Sequence, residues 1–316
     1  MSDMAQGEQV LSLVQRLKQP SAFEKIVWPY RFMIPILFLS GAYVQTKKAL
    51  YRLFGGRTCI PRFNLWFVDL ISINSRRVKD GAARWLALDA VYNFRGGEGS
   101  NKVVRAIDEY WLHIRNAQAV RNRLKIVKRE LSAAILKIAE TKDSGEPVRI
   151  LSLAAGSGQG VIEVVAEFAR KGVLCEVILV DQDESALQHA SALAREAGID
   201  QVVVVVSNVV SFLRNCRNVK FDIIEMCGLM DYLEDDLAVA VIKMVNRRLT
   251  ENGYFLTCHI HPNLESYFLW HVVNWGMLYR TRWELRLLLV RGGFLLPVLH
   301  SEPHRIHSVA VVQKKA

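Results

Sequence analysis

Three glycines and one aspartate have the types and the spacing that ligand binding at the edge of a sheet requires. Gly156, Gly158 and Gly160 follow an apolar run that begins at Val148, and Asp181 ends a second apolar run about twenty residues later. Glycine lets the backbone come close to a ligand, and a helix that starts at such a turn presents free N–H groups to it. A carboxylate at the end of the second strand can accept hydrogen bonds from both hydroxyls of a ribose. These residues predict a nucleoside-type cofactor at the carboxyl edge of a parallel sheet.

The elements that must position these residues alternate between strands and helices. Further helices are predicted beyond Asp181, over 184–197, through Phe212 and over about 235–249, where Asn252-Gly253 is a helix-stop signal. The strands predicted between and after them cover 201–206, 221–227 and 254–260. The connection between the last two strand-like runs, 295–300 and 307–313, is too short for a parallel crossover. The pattern predicts an α/β fold with a seven-stranded, doubly wound, mostly parallel sheet.

The spacing of the glycines separates two classes of cofactor. A dinucleotide site has the pattern G-x-G-x-x-G, in which the third glycine lets the helix pack against the strand. Here the pattern is Gly156-x-Gly158-x-Gly160. It resembles the S-adenosylmethionine (SAM) turn of class I methyltransferases, and the predicted seven-strand ending is also that family's plan. Ser152 stands where such enzymes often carry an acid, and Ala154 stands where they usually carry the first glycine.

Two motifs narrow the resemblance. Gly228-Leu-Met-Asp-Tyr-Leu233 and Asn274-Trp-Gly-Met-Leu-Tyr-Arg280 resemble a bacterial group of class I methyltransferases that carries G-L-x-D-Y-L after the fourth strand and D-W-x-x-x-Y-R after the fifth. Asn274 replaces the usual Asp, and Cys258-His-Ile-His261 stands where that group tends to have Gly-Asn-Phe. The resemblance covers the chain from about Arg121 to its C-terminus. It implies a methyltransferase, and some relatives are associated with methyl esters of 3-hydroxy fatty acids.

The resemblance also implies roles for residues at the carboxyl ends of the strands. We expect the glycine turn to face the methionine part of SAM, Asp181 the ribose, and Asn208 the adenine edge with Gln182 beside the ring. For Asn208, capping of the following helix is an equally good interpretation. The predicted cofactor-binding residues are Ala154, Ala155, Gly156, Gly158, Asp181, Gln182, Asn208, Val209 and Cys227.

Methyl transfer requires a nucleophile aligned with an electrophilic carbon and the exclusion of water. A carboxylate nucleophile needs no base, whereas a hydroxyl or an amine does, and His259 and His261 end the fifth strand where a base would be useful. The alternative is that these histidines are merely polar residues at a strand end. The resemblance places Asp231 and Tyr232 at the site as further catalytic candidates. The predicted substrate-binding pair, Tyr279 and Arg280, could hold a substrate carboxylate by a charge-assisted bond.

Composition fits a folded enzyme in a reducing compartment. The chain has 316 residues, of which 51% are hydrophobic and 23% charged, enough for one catalytic domain and an appendage. Its five cysteines are scattered and never form a C-x-x-C pair, which argues against a disulfide framework and against a zinc site. We therefore expect no metal and a cytoplasmic location, and the N-terminus carries no signal-peptide pattern.

Charge is concentrated in the N-terminal part of the chain. Residues 1–130 hold 22 Lys and Arg against 10 Asp and Glu, whereas residues 131–316 hold 19 against 21. This asymmetry indicates an anionic partner, such as an acidic small molecule, a membrane surface or nucleic acid, or else a solvated basic face. The sequence has no N/D-P-P-Y/F motif and no nucleic-acid module, which argues against a nucleic-acid partner.

The N-terminal region also carries an apolar run over 33–44 that contains Pro35. The run is shorter than the roughly 20 residues that a membrane span needs. It is expected to form a buried helix, a lid over a lipophilic pocket, or an interfacial helix on anionic lipid. Helices predicted over 63–74 and 82–92 would complete a helical cap, with joints at 95–101 and 141–147. We predict a cap and substrate region over 1–145 and a SAM-binding core over 146–316.

The sequence thus predicts a SAM-dependent methyltransferase for a small, lipophilic, acidic molecule, with carboxyl or hydroxyl oxygen as the acceptor. A 3-hydroxy fatty acid is one such molecule. One alternative is a nucleic-acid or protein methyltransferase that uses the basic N-terminal half. Another is a non-catalytic peripheral membrane protein with a degenerate SAM fold, which the departures at Ser152 and Ala154 would suit.

Overall fold

The computed structural model describes residues 23–24, 33–53, 73–94, 101–199, 201–271 and 273–315. Within this part of the chain, seven strands form one sheet with helices on both faces. The strands are β1 (Val148–Leu153), β2 (Cys175–Asp181), β3 (Val202–Val206), β4 (Phe221–Met226), β5 (Leu249–Ile260), β6 (Val298–Ser301) and β7 (His307–Gln313).

The helices cover the two faces of the sheet and form the N-terminal cap. They are α1 (Met33–Leu53), α2 (Ile73–Asp80), α3 (Trp85–Tyr92), α4 (Lys102–Leu112), α5 (Arg115–Ala139), α6 (Gln159–Ala169), α7 (Glu184–Glu196), α8 (Val209–Asn215), α9 (Asp235–Arg248), α10 (Ser266–His271) and α11 (Arg282–Arg291). A 3₁₀ turn covers Met230–Tyr232. Because both faces are covered, the central strands are mostly apolar, and β4 is buried along its whole length, including Asp222 and Glu225.

The strand order is β3-β2-β1-β4-β5-β7-β6. Strands β1 to β5 are parallel to one another, while β7 is antiparallel to both β5 and β6. This confirms the predicted α/β fold with a mostly parallel seven-stranded sheet. The chain order reverses between β1 and β4, and ligands of such sheets bind outside the carboxyl ends of the strands at that point.

The start of β5 differs most from the sequence prediction, and β6 begins at Val298 rather than at 295. The strand expected to start at Tyr254 already begins at Leu249, directly after α9. Asn252 and Gly253 lie inside this strand, where Asn252 has a φ of 62° and the pairing with β4 shifts between Phe221 and Ile223. The Asn-Gly pair therefore forms an irregularity in β5.

Helix α5 connects the cap to the sheet. Leu131 and Ile135 in its second half are completely buried and belong to the same hydrophobic cluster as β1 and α6. Ala117 and Ala119 in its first half pack with Ile260 of β5 and with the cap. The predicted division at 145/146 stays a prediction, but α5, assigned to the cap by the sequence, contributes to the core.

The cap is described in part. The predicted helix over 82–92 corresponds to α3, whereas most of the one predicted over 63–74 and of the joint at 95–101 lies outside the described residues. The apolar run over 33–44 forms the first half of α1, where the side chain of Leu39 is 70% exposed. Among the described helices, none is long and apolar enough to cross a membrane.

Candidate cofactor and substrate site

The turn after β1 has the backbone conformation that glycine favours. Gly156 and Gly158 have φ angles of 55° and 61°. A Cβ on Gly158 would lie 2.8 Å from Cδ1 of Leu179, so this position has no room for a side chain. Ala154, at the position where the resemblance leads us to expect a glycine, also has a positive φ, of 51°. The turn keeps its left-handed shape at Ala154 despite the Cβ penalty.

Asp181 ties the end of β2 to this turn. Its Oδ2 accepts a hydrogen bond from the Gly156 N–H at 2.8 Å, and its Oδ1 accepts one from the Asp183 N–H at 2.9 Å. Each carboxylate oxygen has a further lone pair. The carboxylate therefore fixes the glycine turn and can still accept a hydrogen bond from a ligand.

A cavity of about 770 Å³ runs along this edge of the sheet. It is lined by the glycine turn, by the ends of β2 and β4, and by the residues that follow β3. The structure brings together all nine of the residues predicted to bind cofactor: Ala154, Ala155, Gly156, Gly158, Asp181, Gln182, Asn208, Val209 and Cys227. Their placement is a finding, and their binding roles stay predictions.

Asn208 also caps helix α8. Its Oδ1 accepts a hydrogen bond from the Val210 N–H at 2.9 Å, which is the capping interaction that the sequence offered as the alternative. The side-chain amide nitrogen can still donate to a ligand in the cavity.

Strand β1 has Ser152 where an acid is usual, and the neighbouring strand β4 supplies an acid beside it. Ser152 pairs in register with Glu225 of β4, and its hydroxyl donates a hydrogen bond of 2.6 Å to the Glu225 carboxylate. Both residues line the large cavity and are buried. Burial raises the pKa of Glu225, although bonds from Ser152 and Cys227 oppose this. No local pattern marks Glu225, because its pairing with Ser152 depends on strand register.

Trp85 of the cap closes the cavity above the glycine turn. Its Cβ lies 3.4 Å from the position that a Cβ on Gly156 would occupy. The indole Nε1 donates a hydrogen bond of 3.0 Å to Ser185 Oγ, and the ring stacks on His189 with centroids 4.8 Å apart. Cap and core are therefore joined directly beside the predicted ribose site.

A second, smaller cavity of about 120 Å³ lies beneath the cap. Its wall is mostly apolar and comes from α3, α5, α10, the end of β5 and residues 273–277. The two cavities share five wall residues: Leu88, Arg123, Gly228, Tyr232 and Trp275. An apolar cavity of about 150 Å³ can hold benzene, so this one has room for about six carbons.

Asp231 and Tyr232 line the smaller cavity, whereas the two predicted histidine bases do not. His259 is completely buried and lies behind Asp231, with its Nδ1 2.8 Å from Asp231 Oδ1. Asp231 Oδ1 also accepts a hydrogen bond from the Ile260 N–H at 3.0 Å. Burial raises the pKa of Asp231, but His259, His307 and Arg123 together outweigh it and the pKa is lowered.

His261, the second histidine predicted as a base, has both of its ring nitrogens occupied, and its role as a base stays a prediction. Nδ1 lies 2.7 Å from the Arg280 carbonyl oxygen and Nε2 lies 2.8 Å from Ser308 Oγ. Because a carbonyl only accepts, Nδ1 carries the proton and Nε2 accepts from the hydroxyl. Side chains alternate along a strand, so His259 and His261 point away from the cavity that Ile260 lines.

Arg280, which is predicted to bind a substrate carboxylate, has three hydrogen-bond partners within the protein. Its buried guanidinium donates to Asp235 Oδ1 at 2.8 Å, to the Met230 carbonyl at 2.9 Å and to the Leu233 carbonyl. It therefore fixes the segment between β4 and α9. Tyr279 packs in the hydrophobic cluster of the cap, and neither residue lines either cavity. The structure does not bring this pair to the cavities, and its substrate role stays a prediction.

Arg123 and His307, which are outside the predicted catalytic and binding sets, also face the smaller cavity. Arg123 of α5 is 4% exposed, and His307 at the start of β7 is 2% exposed. The helical period could have predicted that Arg123 is buried, because it lies four residues after Ala119 and three before Ile126 on the buried face of α5. No local pattern marks His307, since its position depends on the antiparallel return of β7.

A comparison with protein families identifies the class of protein. A family model described as "Putative methyltransferase" matches residues 69–314. Among curated proteins, none matches the sequence significantly.

Solved structures show the same fold. A possible exported protein from Bordetella parapertussis is 15% identical, with a TM-score of 0.61 over 75% of this chain and 81% of that one. Magnesium protoporphyrin IX methyltransferase from Synechocystis PCC 6803, with S-adenosylhomocysteine (SAH) bound, is 13% identical, with a TM-score of 0.51 over 77% of this chain and all of that one. At these identities the likeness concerns the fold.

Proposed function

Since the chain belongs to this methyltransferase family, we propose that it transfers a methyl group from SAM to an oxygen atom of a small, lipophilic, acidic molecule. The observation that carries the proposal is the junction of the two cavities. The large one contains the predicted cofactor residues, the small one is apolar, and the two share a wall.

The residues of the large cavity fit SAM. The glycine turn leaves its backbone accessible, Asp181 can accept from ribose hydroxyls, and the buried Glu225 carboxylate can pair with the amino group of the methionine part. Asn208 and Gln182 would border the adenine. When bound, SAM supplies an electrophilic methyl carbon on a sulfonium.

The smaller cavity suits an acyl or alkyl chain. Its lining includes Val91, Leu112, Phe268 and Met277, all buried. Each buried methylene contributes about 0.8 kcal/mol to binding, so a chain of about six carbons would be held mainly by the hydrophobic effect. The polar end of such a molecule would lie at the shared wall, next to the cofactor cavity.

The chain's own residues would then position the acceptor and exclude water. Trp85 covers the cofactor cavity from the cap side, Trp275 lines both cavities, and the Trp275 Nε1–H donates to Tyr232 Oη at 2.6 Å. A carboxylate acceptor is ionised at neutral pH and needs no base. This agrees with the placement of His259 and His261 away from the cavities. A 3-hydroxy fatty acid combines a carboxylate with a chain of the required kind.

A methylation assay with radiolabelled SAM tests the proposal. We expect label to pass from SAM to hexanoate or 3-hydroxyhexanoate, and mass spectrometry should find a methyl ester rather than an ether. Calorimetry should show that SAM and SAH bind more tightly than NAD. Failure to bind SAM and SAH would refute the cofactor assignment. SAH binding without turnover of any acid would favour the non-catalytic alternative.

A further inference from the structure

Arg123 occupies the wall between the two cavities and has the properties of an anion anchor. We infer that its guanidinium binds the carboxylate of the acceptor and thereby selects acids over alcohols and amines. This inference rests on the proposed function and adds the residue that sets the substrate class.

The guanidinium is buried without an acidic partner. Among the described residues, its hydrogen-bond acceptor is the Tyr92 hydroxyl, which lies 3.0 Å from its Nη2, and no carboxylate lies within salt-bridge distance. By contrast, Arg121 on the same helix holds Glu24 through both Nε, at 2.7 Å, and Nη2, at 2.6 Å. A buried cation is costly unless it is paired, and a guanidinium has five donors. Most of the donors of Arg123 are therefore available to a ligand.

Asp231 and Glu225, the buried acids that line the cavities, each have a hydrogen-bond partner other than Arg123. Asp231 Oδ1 contacts His259 and the Ile260 N–H, and Glu225 accepts from Ser152. Both carboxylates attract Arg123 at longer range without bonding to it. The positive charge at the junction therefore remains directed at the cavities that Arg123 lines.

His307 provides a second, independent observation at the same cavity. Neither of its ring nitrogens has a hydrogen-bond partner among the described residues, although the side chain is almost completely buried. Burial first, and then the charge of Arg123, hold the pKa of His307 well below its usual range. The imidazole is thus an uncharged polar group in a wall that also contains Lys79, Arg123 and Asp231. An unsatisfied buried polar group in an apolar wall indicates a ligand with a polar group of its own.

The anchor places a nucleophile where methyl transfer requires it. With the carboxylate on Arg123, one of its oxygens forms a bond to the methyl carbon while the bond from that carbon to sulfur breaks. The electron pair of the broken bond stays on sulfur, which becomes a neutral thioether. No proton is transferred, so no base is needed. The product ester has lost the charge that Arg123 binds, which favours its release.

The test compares three ligands of equal chain length on the full chain saturated with SAH. We expect hexanoate to bind about tenfold or more tightly than hexanol or hexylamine. Arg123→Gln should lose this preference and weaken hexanoate about tenfold or more, while its affinity for SAH stays within about threefold of the unchanged protein. Arg129→Gln, on the same helix and paired with Glu130, should behave as the unchanged protein.

A second measurement does not depend on the stability of the variant. With hexanoate labelled by ¹³C at the carboxyl carbon, the NMR shift of the ligand bound to the unchanged protein should be that of the ionised form between pH 6 and pH 5. A neutral apolar site would instead raise the pKa of the acid and show the protonated form. If Arg123→Gln fails to fold, Arg123→Lys, which keeps the charge, should retain part of the preference for hexanoate.

Three results would overturn the anchor: equal binding of hexanol and hexanoate, unchanged hexanoate binding in a folded Arg123→Gln variant, or a protonated bound ligand. If SAH itself does not bind, the proposed function fails, and this outcome is distinct from a failure of the anchor alone.

Discussion

Ser152 of β1 and Glu225 of β4 are direct partners in the sheet, joined by a hydrogen bond of 2.6 Å between hydroxyl and carboxylate. The acid that related turns carry at the end of β1 is thus replaced by one from the neighbouring strand, in the same cavity. Despite the departure at Ser152, the site therefore contains a carboxyl group, which belongs to the neighbouring strand.

The first prediction concerns this carboxylate. If Glu225 pairs with the amino group of SAM, Glu225→Gln should cost about 1.5–3 kcal/mol of SAH binding. Because burial raises the pKa of Glu225, binding of the cation should also lower that pKa and release a proton. Calorimetry in two buffers of different ionisation heat measures both effects. An SAH analogue without the amino group is the control, since its affinity should be the same for both proteins.

Asp181 gives the second prediction. Asp181→Ala removes the acceptor for the ribose and also the bond to the Gly156 N–H, so SAM affinity should fall by about 1.5–3 kcal/mol or more. Asp236→Asn, whose side chain is 98% exposed, is a control for the loss of one negative charge. Titration of both variants with SAM measures the difference, and equal affinities would remove Asp181 from the site.

Arg280 is predicted to act through stability. Arg280→Gln leaves the carbonyls of Met230 and Leu233 without their donor, so the free energy of unfolding should fall by about 2–4 kcal/mol. Arg291→Gln, which breaks an exposed pair with Asp236, should change it by less than about 1 kcal/mol. Urea unfolding followed by circular dichroism checks both values. An Arg280→Gln variant with unchanged stability that no longer binds acids would instead support the predicted substrate role of Arg280.

Much of the fold could be predicted because its signals are local. Apolar runs, the glycine turn and Asp181 lie within a few dozen residues, and the nine residues predicted to bind cofactor all line one cavity. The substrate side could not be predicted in this way. Arg123 and His307 meet only because β7 returns beside β5, and His259 and His261 are separated from the cavity by the alternation of side chains around Ile260.

Ala154 gives a prediction about the glycine turn. Its φ of 51° costs about 1–2 kcal/mol for a residue with a Cβ, whereas glycine adds a loss of about 0.5–1 kcal/mol from the entropy of the unfolded chain. Ala154→Gly should therefore leave the protein as stable or about 1 kcal/mol more stable, with SAH affinity retained. Ala155→Gly, at a neighbour without a positive φ, should only destabilise. Thermal unfolding with and without SAH measures both variants, and a less stable Ala154→Gly protein would contradict the argument.

The last prediction concerns stability against pH. Burial holds the pKa values of His307, His261 and His304 below the value that histidine has in an unfolded chain. Below about pH 6.5 the unfolded chain therefore binds protons that the folded protein does not, so stability falls as the pH decreases. Each such group can remove up to about 1.4 kcal/mol per pH unit between its unfolded and its folded pKa. Urea unfolding at intervals from pH 7.5 to pH 5.5 should show this decline, and His307→Gln should make it shallower. A His307→Gln variant with the same slope as the unchanged protein would mean that His307 becomes protonated in the folded state, contrary to its burial beside Arg123.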